Sequence, residues 1–348
     1  YDPNFAGGVE AIASAGGGIT PPIMGISAFV MASLINIPYI QIIGYALIPC
    51  ILFYTSVMSG VHFRALQLNL KPVPTDQIPK LRDVITVSKL LPLFGPIALL
   101  IILLLRGFSL ISAGFYASIF VVVFYVFSDF NFNEMKKRIL TLPAALADGG
   151  SSIARIVPLL VAVNIFINLL GITGIAPKLS ALIIKLGSTS LVASLFVSGL
   201  LPFMLGSALP TVATYILSAA LIAPALARLN LDLVAIHLFL IYWATLACVT
   251  PPTCTGSIIA ANIGGGNWLK VSFSAMRLGI VVYIVPFFFV IQPALIARAP
   301  FNEVLIHSVS AIIGTVFLSS GIFGYFHRNL GIVTRGLFIV GGILLLYP

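Results

Sequence analysis

Apolar residues run along this chain in stretches of about twenty, the length that crosses a bilayer core, separated by short polar connections. The stretches are continuous rather than alternating, which predicts α-helical spans and argues against a β-barrel. Residues 4–35 read as one span in two halves, apolar from Phe5 to Ala15, broken at Gly16-Gly17-Gly18-Ile19-Thr20-Pro21-Pro22, and apolar again to Leu34. A full span over 39–63 follows. The longest polar stretch, 64–89, carries Arg64, Lys71, Lys80, Arg82 and Lys89 against Asp76 and Asp83. Two spans, 90–105 and 109–128, turn at Arg106-Gly107 and lead to a second basic loop at Lys136-Lys137-Arg138. Residues 139–152 read as an interfacial amphipathic segment, 153–171 as a span, and 173–187 as a shorter, weakly basic piece. In 189–228, two apolar arms flank Gly206-Ser207-Ala208-Leu209-Pro210-Thr211, which predicts a re-entrant hairpin. A second broken span, 231–264, is interrupted from Val249 to Thr253. A full span covers 273–296, and a tail of two more spans occupies 304–326 and 331 onward.

The two interruptions share the tripeptide Thr-Pro-Pro, at 20–22 and 250–252. Proline removes a backbone donor and clashes with the preceding turn, so each pair breaks its helix. Hydrocarbon cannot satisfy the freed backbone groups, so such a break must be buried in protein or line a cavity. A shift of 230 places Thr20-Pro21-Pro22 on Thr250-Pro251-Pro252 and Ser27 on Ser257, and a shift of 229 places Ala46 on Ala275 and Tyr54 on Tyr283. Both copies read as a broken span followed by a full span. The basic loops belong on the cytoplasmic side, so the first broken span runs outward and the second inward. Inverted repeats with mid-membrane breaks are the architecture of secondary transporters.

Composition agrees with this picture: the chain is 60% hydrophobic and 8% charged, with a mean hydropathy of +1.15. Net charge is +9, from 18 Lys and Arg against 9 Asp and Glu, but the cations sit mostly in connections. They therefore read as topogenic charge, and no basic stretch with interleaved aromatics suggests nucleic acid. Cys50, Cys248 and Cys254 read as small packing residues. The chain starts at Tyr1 and ends in Leu344-Leu345-Leu346-Tyr347-Pro348, which reads as a fragment cut within the membrane domain at both ends. A His-Glu-x-x-His motif, a Ser–His pairing and a P-loop are all missing from the sequence, so an enzyme and an ATP-driven pump are not expected.

Five segments in order carry a family resemblance: Phe5-Ala6-Gly7-Gly8-Val9-Glu10-Ala11, Gly18-Ile19-Thr20-Pro21-Pro22-Ile23-Met24-Gly25, Ala208-Leu209-Pro210-Thr211-Val212-Ala213-Thr214-Tyr215, Val249-Thr250-Pro251-Pro252 and Ala275-Met276-Arg277-Leu278-Gly279. Over about residues 1–300 the chain resembles the large, DctM-like permease of tripartite ATP-independent periplasmic (TRAP) transporters, most closely the fused type. The resemblance implies a multi-pass permease of the prokaryotic inner (cytoplasmic) membrane. It implies sodium-coupled import of small organic acids, carboxylates, handed over by a periplasmic substrate-binding protein. The implied fold is all-α, with inverted repeats, broken helices and a re-entrant hairpin in an elevator-type arrangement. Residues 1–300 would form the transport core and 301–348 a C-terminal transmembrane tail. The family's first hairpin and its smaller subunit would precede Tyr1.

In that family two hairpin tips and two broken helices make the ion and substrate sites. Here the matching positions are Gly16, Gly17, Gly18, Thr20, Pro21 and Pro22; Gly206, Ser207, Pro210 and Thr211; and Thr250, Pro251, Pro252 and Thr253. Sodium is a hard cation that prefers oxygen. A broken helix offers carbonyls at its C-terminal half-end, and Thr and Ser hydroxyls add neutral oxygens. Gly17, Thr20, Ser207 and Thr250 are the sodium candidates. Opposed half-helix N-termini present amides suited to a carboxylate. The expectation is sodium as coupling ion and no cofactor; the alternatives are proton coupling, with Glu10 as the carboxylate to consider, or a non-catalytic channel or scaffold subunit. Arg277 reads as a snorkelling anchor, Asp148 and Arg155 as a structural pair, and His62, His237, His307 and His327 as interfacial.

Overall fold

A computed structural model of the chain describes residues 1–71, 74, 78, 87–127 and 132–347. Among these residues every regular element is helical, with one isolated bridge between Tyr325 and Asn329. The protein is an all-α, polytopic membrane protein. Among the described residues Tyr39–Gln67, Leu110–Phe127 and Phe301–Phe323 are each long and apolar enough to cross a membrane, and five spans result if two bent helix pairs count as one each. Half of the polar stretch 64–89, including Asp76, Lys80, Arg82 and Asp83, lies outside the described residues, as does the side chain of Arg155.

The chain divides into a larger unit, residues 1–70 and 163–348, and a smaller one, 71–162. The larger unit opens with α1 (Pro3–Gly16). Asp2 caps it, accepting from the amides of Asn4 and Phe5 at 3.0 and 3.1 Å, and proline takes the first helical position where no amide partner is needed. A 3-10 turn (Gly17–Ile19) leads through the first break to α2 (Ile26–Leu34), and α3 (Tyr39–Gln67) is the unbroken partner span.

In the smaller unit α4 (Val87–Leu105) and α5 (Leu110–Phe127) form a helical hairpin turning at Gly107, whose φ of +80° suits glycine. The helix α6 (Phe132–Ile172) corrects the sequence reading. Lys136, Lys137 and Arg138 are helical rather than a loop, and 139–152 is not a separate interfacial piece. Charge marked the segment as polar, but Glu134 and Lys137 are one helical turn apart and pair at 2.7 Å on an exposed face. The helix ends in the larger unit, where its apolar end (Val161–Ile172) bends by 74° into α7 (Ile175–Thr189).

The hairpin follows as two arms, α8 (Leu191–Gly206) and α9 (Thr211–Ala227). Next comes α10 (Leu233–Leu246), in which every residue from Val234 to Leu246 is buried. A helix apolar on all sides is a core helix, and α10 packs against α8, α9 and α13 and reaches α1, α2 and α3. The second break leads to α11 (Thr255–Gly264). The full span expected over 273–296 is instead a bent pair, α12 (Trp268–Leu278) and α13 (Ile280–Ile291), meeting at 41° around Gly279. A Cβ at Gly279 would press on Ile12 of α1 at 2.5 Å, so glycine is there for close approach.

The two broken spans run in opposite directions. Asn4, at the start of the first, accepts from the amide of Asn267, just past the end of the second, at 2.8 Å. Leu34, at the end of the first, and Leu233, at the start of the second, line one cavity.

After a 3-10 turn (Pro293–Ile296), α14 (Phe301–Phe323) and α15 (Ile332–Leu346) complete the chain. They touch backbone to backbone: a Cβ on Gly314 or Gly342 would lie 2.7 Å from the other's carbonyl oxygen, the close approach that small residues permit in membranes. Gly314→Leu should therefore cost about 1–3 kcal/mol and lower the thermal midpoint in detergent. Gly341→Leu, which meets open space, is the control that should leave the midpoint in place.

Candidate functional site

The two breaks solve one local problem in the same way. In an uninterrupted helix the amides of residues 21 and 22 would bond the carbonyls of Gly17 and Gly18, but Pro21 and Pro22 have no amide proton. The Gly18 carbonyl instead accepts from Gly25 at 2.9 Å. In the second break Pro251 and Pro252 abandon Ala247 and Cys248, and the Cys248 carbonyl accepts from Gly256, also at 2.9 Å. Both Pro–Pro peptide bonds, Pro21-Pro22 and Pro251-Pro252, are cis. The carbonyls left over are Gly17, which receives only a long 3.4 Å contact from the Thr20 amide, and Ala247, which takes no hydrogen bond among the described residues. Ala247 is 2% exposed, so its carbonyl is a buried acceptor with unfilled capacity.

The threonines repeat as well. Thr20 Oγ1 donates to the Gly16 carbonyl at 2.6 Å and lies 3.0 Å from the Tyr54 hydroxyl. Thr250 Oγ1 donates to the Leu246 carbonyl at 2.7 Å and lies 2.5 Å from the Tyr283 hydroxyl. A threonine hydroxyl has one proton and two lone pairs. With the proton spent on the helix, each tyrosine is the donor to its threonine, and one lone pair on each threonine oxygen remains.

The hairpin tip is docked on the second break. A Cβ at Gly206 would lie 2.7 Å from Ala247 Cβ and 3.2 Å from the Ala244 carbonyl. Ser207 Oγ donates to the Met204 carbonyl at 2.6 Å, Pro210 caps α9, and Thr211 opens that helix. Thr253 is half-buried at the head of α11, beside Cys254, whose φ of +29° puts a non-glycine residue in strained backbone. The candidates form two groups. Gly16, Gly17, Gly18, Thr20, Pro21 and Pro22 make one at the first break. Gly206 sits with the second break, where Thr250, Pro251, Pro252 and Thr253 lie. Among the described residues no hydrogen bond joins Thr20 to Ser207 or Thr250. The helix α10 is common to both groups, since the 3-10 turn Gly17–Ile19 also packs on it.

Several residues around the breaks were not singled out from sequence. Tyr54 and Tyr283 had a signal, their correspondence across the repeat. Tyr39, whose hydroxyl donates to the Pro22 carbonyl at 2.8 Å, and Ser272, which donates to the Val249 carbonyl at 2.5 Å, had none. His237 is 5% exposed, and its partner had no signal in the sequence: Tyr215 meets its Nδ1 at 2.7 Å. Glu10 lies on an exposed face of α1, accepting from Ser14 at 3.0 Å. Arg277 bonds the Ile322 carbonyl at 3.3 Å and stacks over Phe323, which ties α12 to α14.

Chemically the two breaks offer neutral oxygens, hydroxyl and carbonyl. Among the described residues no group of three or more His, Cys, Asp or Glu converges. Hard oxygen donors of this kind suit an alkali cation better than a transition metal.

No curated protein matches the chain. The family model that matches describes the DctM component of the tripartite ATP-independent periplasmic transporter, and it covers residues 1–304. The match takes in both breaks, the hairpin and the bent pair after the second break, so the duplicated architecture lies inside the shared region. The chain belongs to the DctM family of tripartite ATP-independent periplasmic transporter components.

Proposed function

We propose that the chain is the permease of a sodium-coupled secondary transporter that imports small organic acids across the prokaryotic inner membrane. A periplasmic substrate-binding protein delivers the acid. The observation that carries this reading is the duplicated break: two threonine hydroxyls and the carbonyls that proline has released, in a chain whose family is a transporter family. Membrane folds tolerate irregular backbone where it serves a cavity or an ion. A cation at such oxygens offsets the charge of a carboxylate beside it, which lowers the cost of holding both out of water. Coupling by sodium fits oxygens that carry no titratable proton at neutral pH.

The test is uptake into proteoliposomes holding the full-length permease and its binding protein, with a panel of labelled small carboxylates. An inward sodium gradient should drive accumulation, and an inward proton gradient alone should not. Accumulation on the proton gradient without sodium would move the reading to proton coupling. Uptake that equilibrates without a gradient requirement would make the protein a channel.

A further inference from the structure

A second polar feature lies at the root of the hairpin, away from both breaks. The helix α7, which precedes the hairpin, and the arm α9 enclose a groove of about 500 Å³. Its walls include Pro177, Ala181 and Pro224, and its rim carries Ser180, Lys185 and Arg228. Lys185 and Arg228 are exposed cations, and among the described residues neither forms an ion pair. The carboxylates of the larger unit are engaged or placed elsewhere. Asp2 caps α1, Glu10 meets Ser14, Asp232 pairs with Arg298 at 2.7 Å, and Glu303 lies in the first turn of α14. Ser180 Oγ reaches the Leu221 carbonyl only at 3.5 Å, the long limit of a hydrogen bond, so its proton is available to a better acceptor.

We propose that this groove holds an anionic phospholipid, with the headgroup phosphate between Lys185 and Arg228 and the start of an acyl chain along Pro177, Ala181 and Pro224. The argument is one of complementarity. A bilayer supplies one abundant molecule with a phosphodiester next to hydrocarbon, and the groove sets two unpaired cations next to an apolar wall. Basic pockets between membrane helices recognise lipid phosphates in this way. A small soluble anion would match the cations but leave the apolar wall in water. The site adjoins the base of the hairpin, where Gly187 abuts Leu229, so an occupied groove would brace α7 against α9 beside the hairpin's root.

Native mass spectrometry of the full chain in neutral detergent, titrated with phosphatidylglycerol or phosphatidylcholine, tests the proposal. Phosphatidylglycerol should bind more tightly. Each of Lys185→Gln and Arg228→Gln should weaken it about fivefold, and the double variant about 25-fold, as two interfacial cations lose their attraction. Ala181→Phe keeps both charges and fills the groove, so it should also lose the lipid. It provides a decision even if the double variant fails to fold. Undiminished binding in either the double variant or Ala181→Phe would overturn the proposal. Glycerol phosphate, which has no chains, should not compete at lipid concentrations; equal competition would make the site one for a soluble anion and overturn the lipid assignment.

Discussion

Thr250→Val should weaken sodium binding by about 10- to 100-fold, the effect of removing one oxygen from a charged partner. The variant should also lose stability, because it strands the hydroxyl of the half-buried Tyr283, at a cost of about 1–3 kcal/mol. The Leu246 carbonyl does not share that fate, since the Val249 amide still reaches it at 3.1 Å. The second mutation of the cycle separates the two effects. In Thr250→Val with Tyr283→Phe both partners are gone, no polar group is stranded, and the thermal midpoint should return towards that of the parent. Sodium affinity should stay low. Isothermal titration and thermal unfolding on the four proteins decide the matter, and affinity that recovers together with the midpoint would reduce Thr250 to a packing role. The corresponding Thr20→Val should act in the same direction but more weakly. Thr20 is less buried than Thr250, so its oxygen is better screened by water.

Gly206→Leu should abolish most transport while leaving the helices intact. The tip of the hairpin reaches the end of α10 only because position 206 has no side chain: the first carbon added would already lie 2.7 Å from Ala247 Cβ. Forcing a side chain into that contact costs about 1–3 kcal/mol. That is enough to shift a docked tip to an undocked one by 5- to 150-fold, roughly the same factor expected in uptake. Circular dichroism should be unchanged, and a cysteine pair across the tip and α10 should crosslink in the parent but not in the variant. Full uptake by Gly206→Leu would show that tip docking is not required for the transport cycle.

Much of this was legible because proline and glycine act locally. Thr-Pro-Pro announced both breaks and the Gly206–Thr211 turn announced the hairpin, whereas the correspondence of Tyr54 with Tyr283 marked only the repeat, and the hydroxyl beside each threonine came from the structure. What escaped depends on partners far along the chain. His237 looked like any lone polar residue near a span end until Tyr215, 22 positions earlier, closed on it. Gly279, where the bend falls, is held to glycine by the close approach of Ile12, which no local pattern connects to it. The run from Phe132 to Ile172 was divided at its charges, although charges on one helical face need no loop. The carbonyl of Ala247 was invisible for a different reason: its availability belongs to the proline four residues later rather than to alanine.

The repeated break also bears on how the chain tolerates change. Where the first copy has Gly16 and Gly18, the second has Leu246 and Cys248, yet the same main-chain oxygens perform the same tasks. Divergence after an ancestral duplication would have been free to alter those side chains while keeping the peptide groups beneath them. A comprehensive substitution library changes only side chains, so at 246 and 248 it would report packing and miss the contribution of the carbonyls. Exchanging a single peptide link for an ester, which leaves every side chain in place and weakens one carbonyl as a ligand, is the perturbation that would expose it.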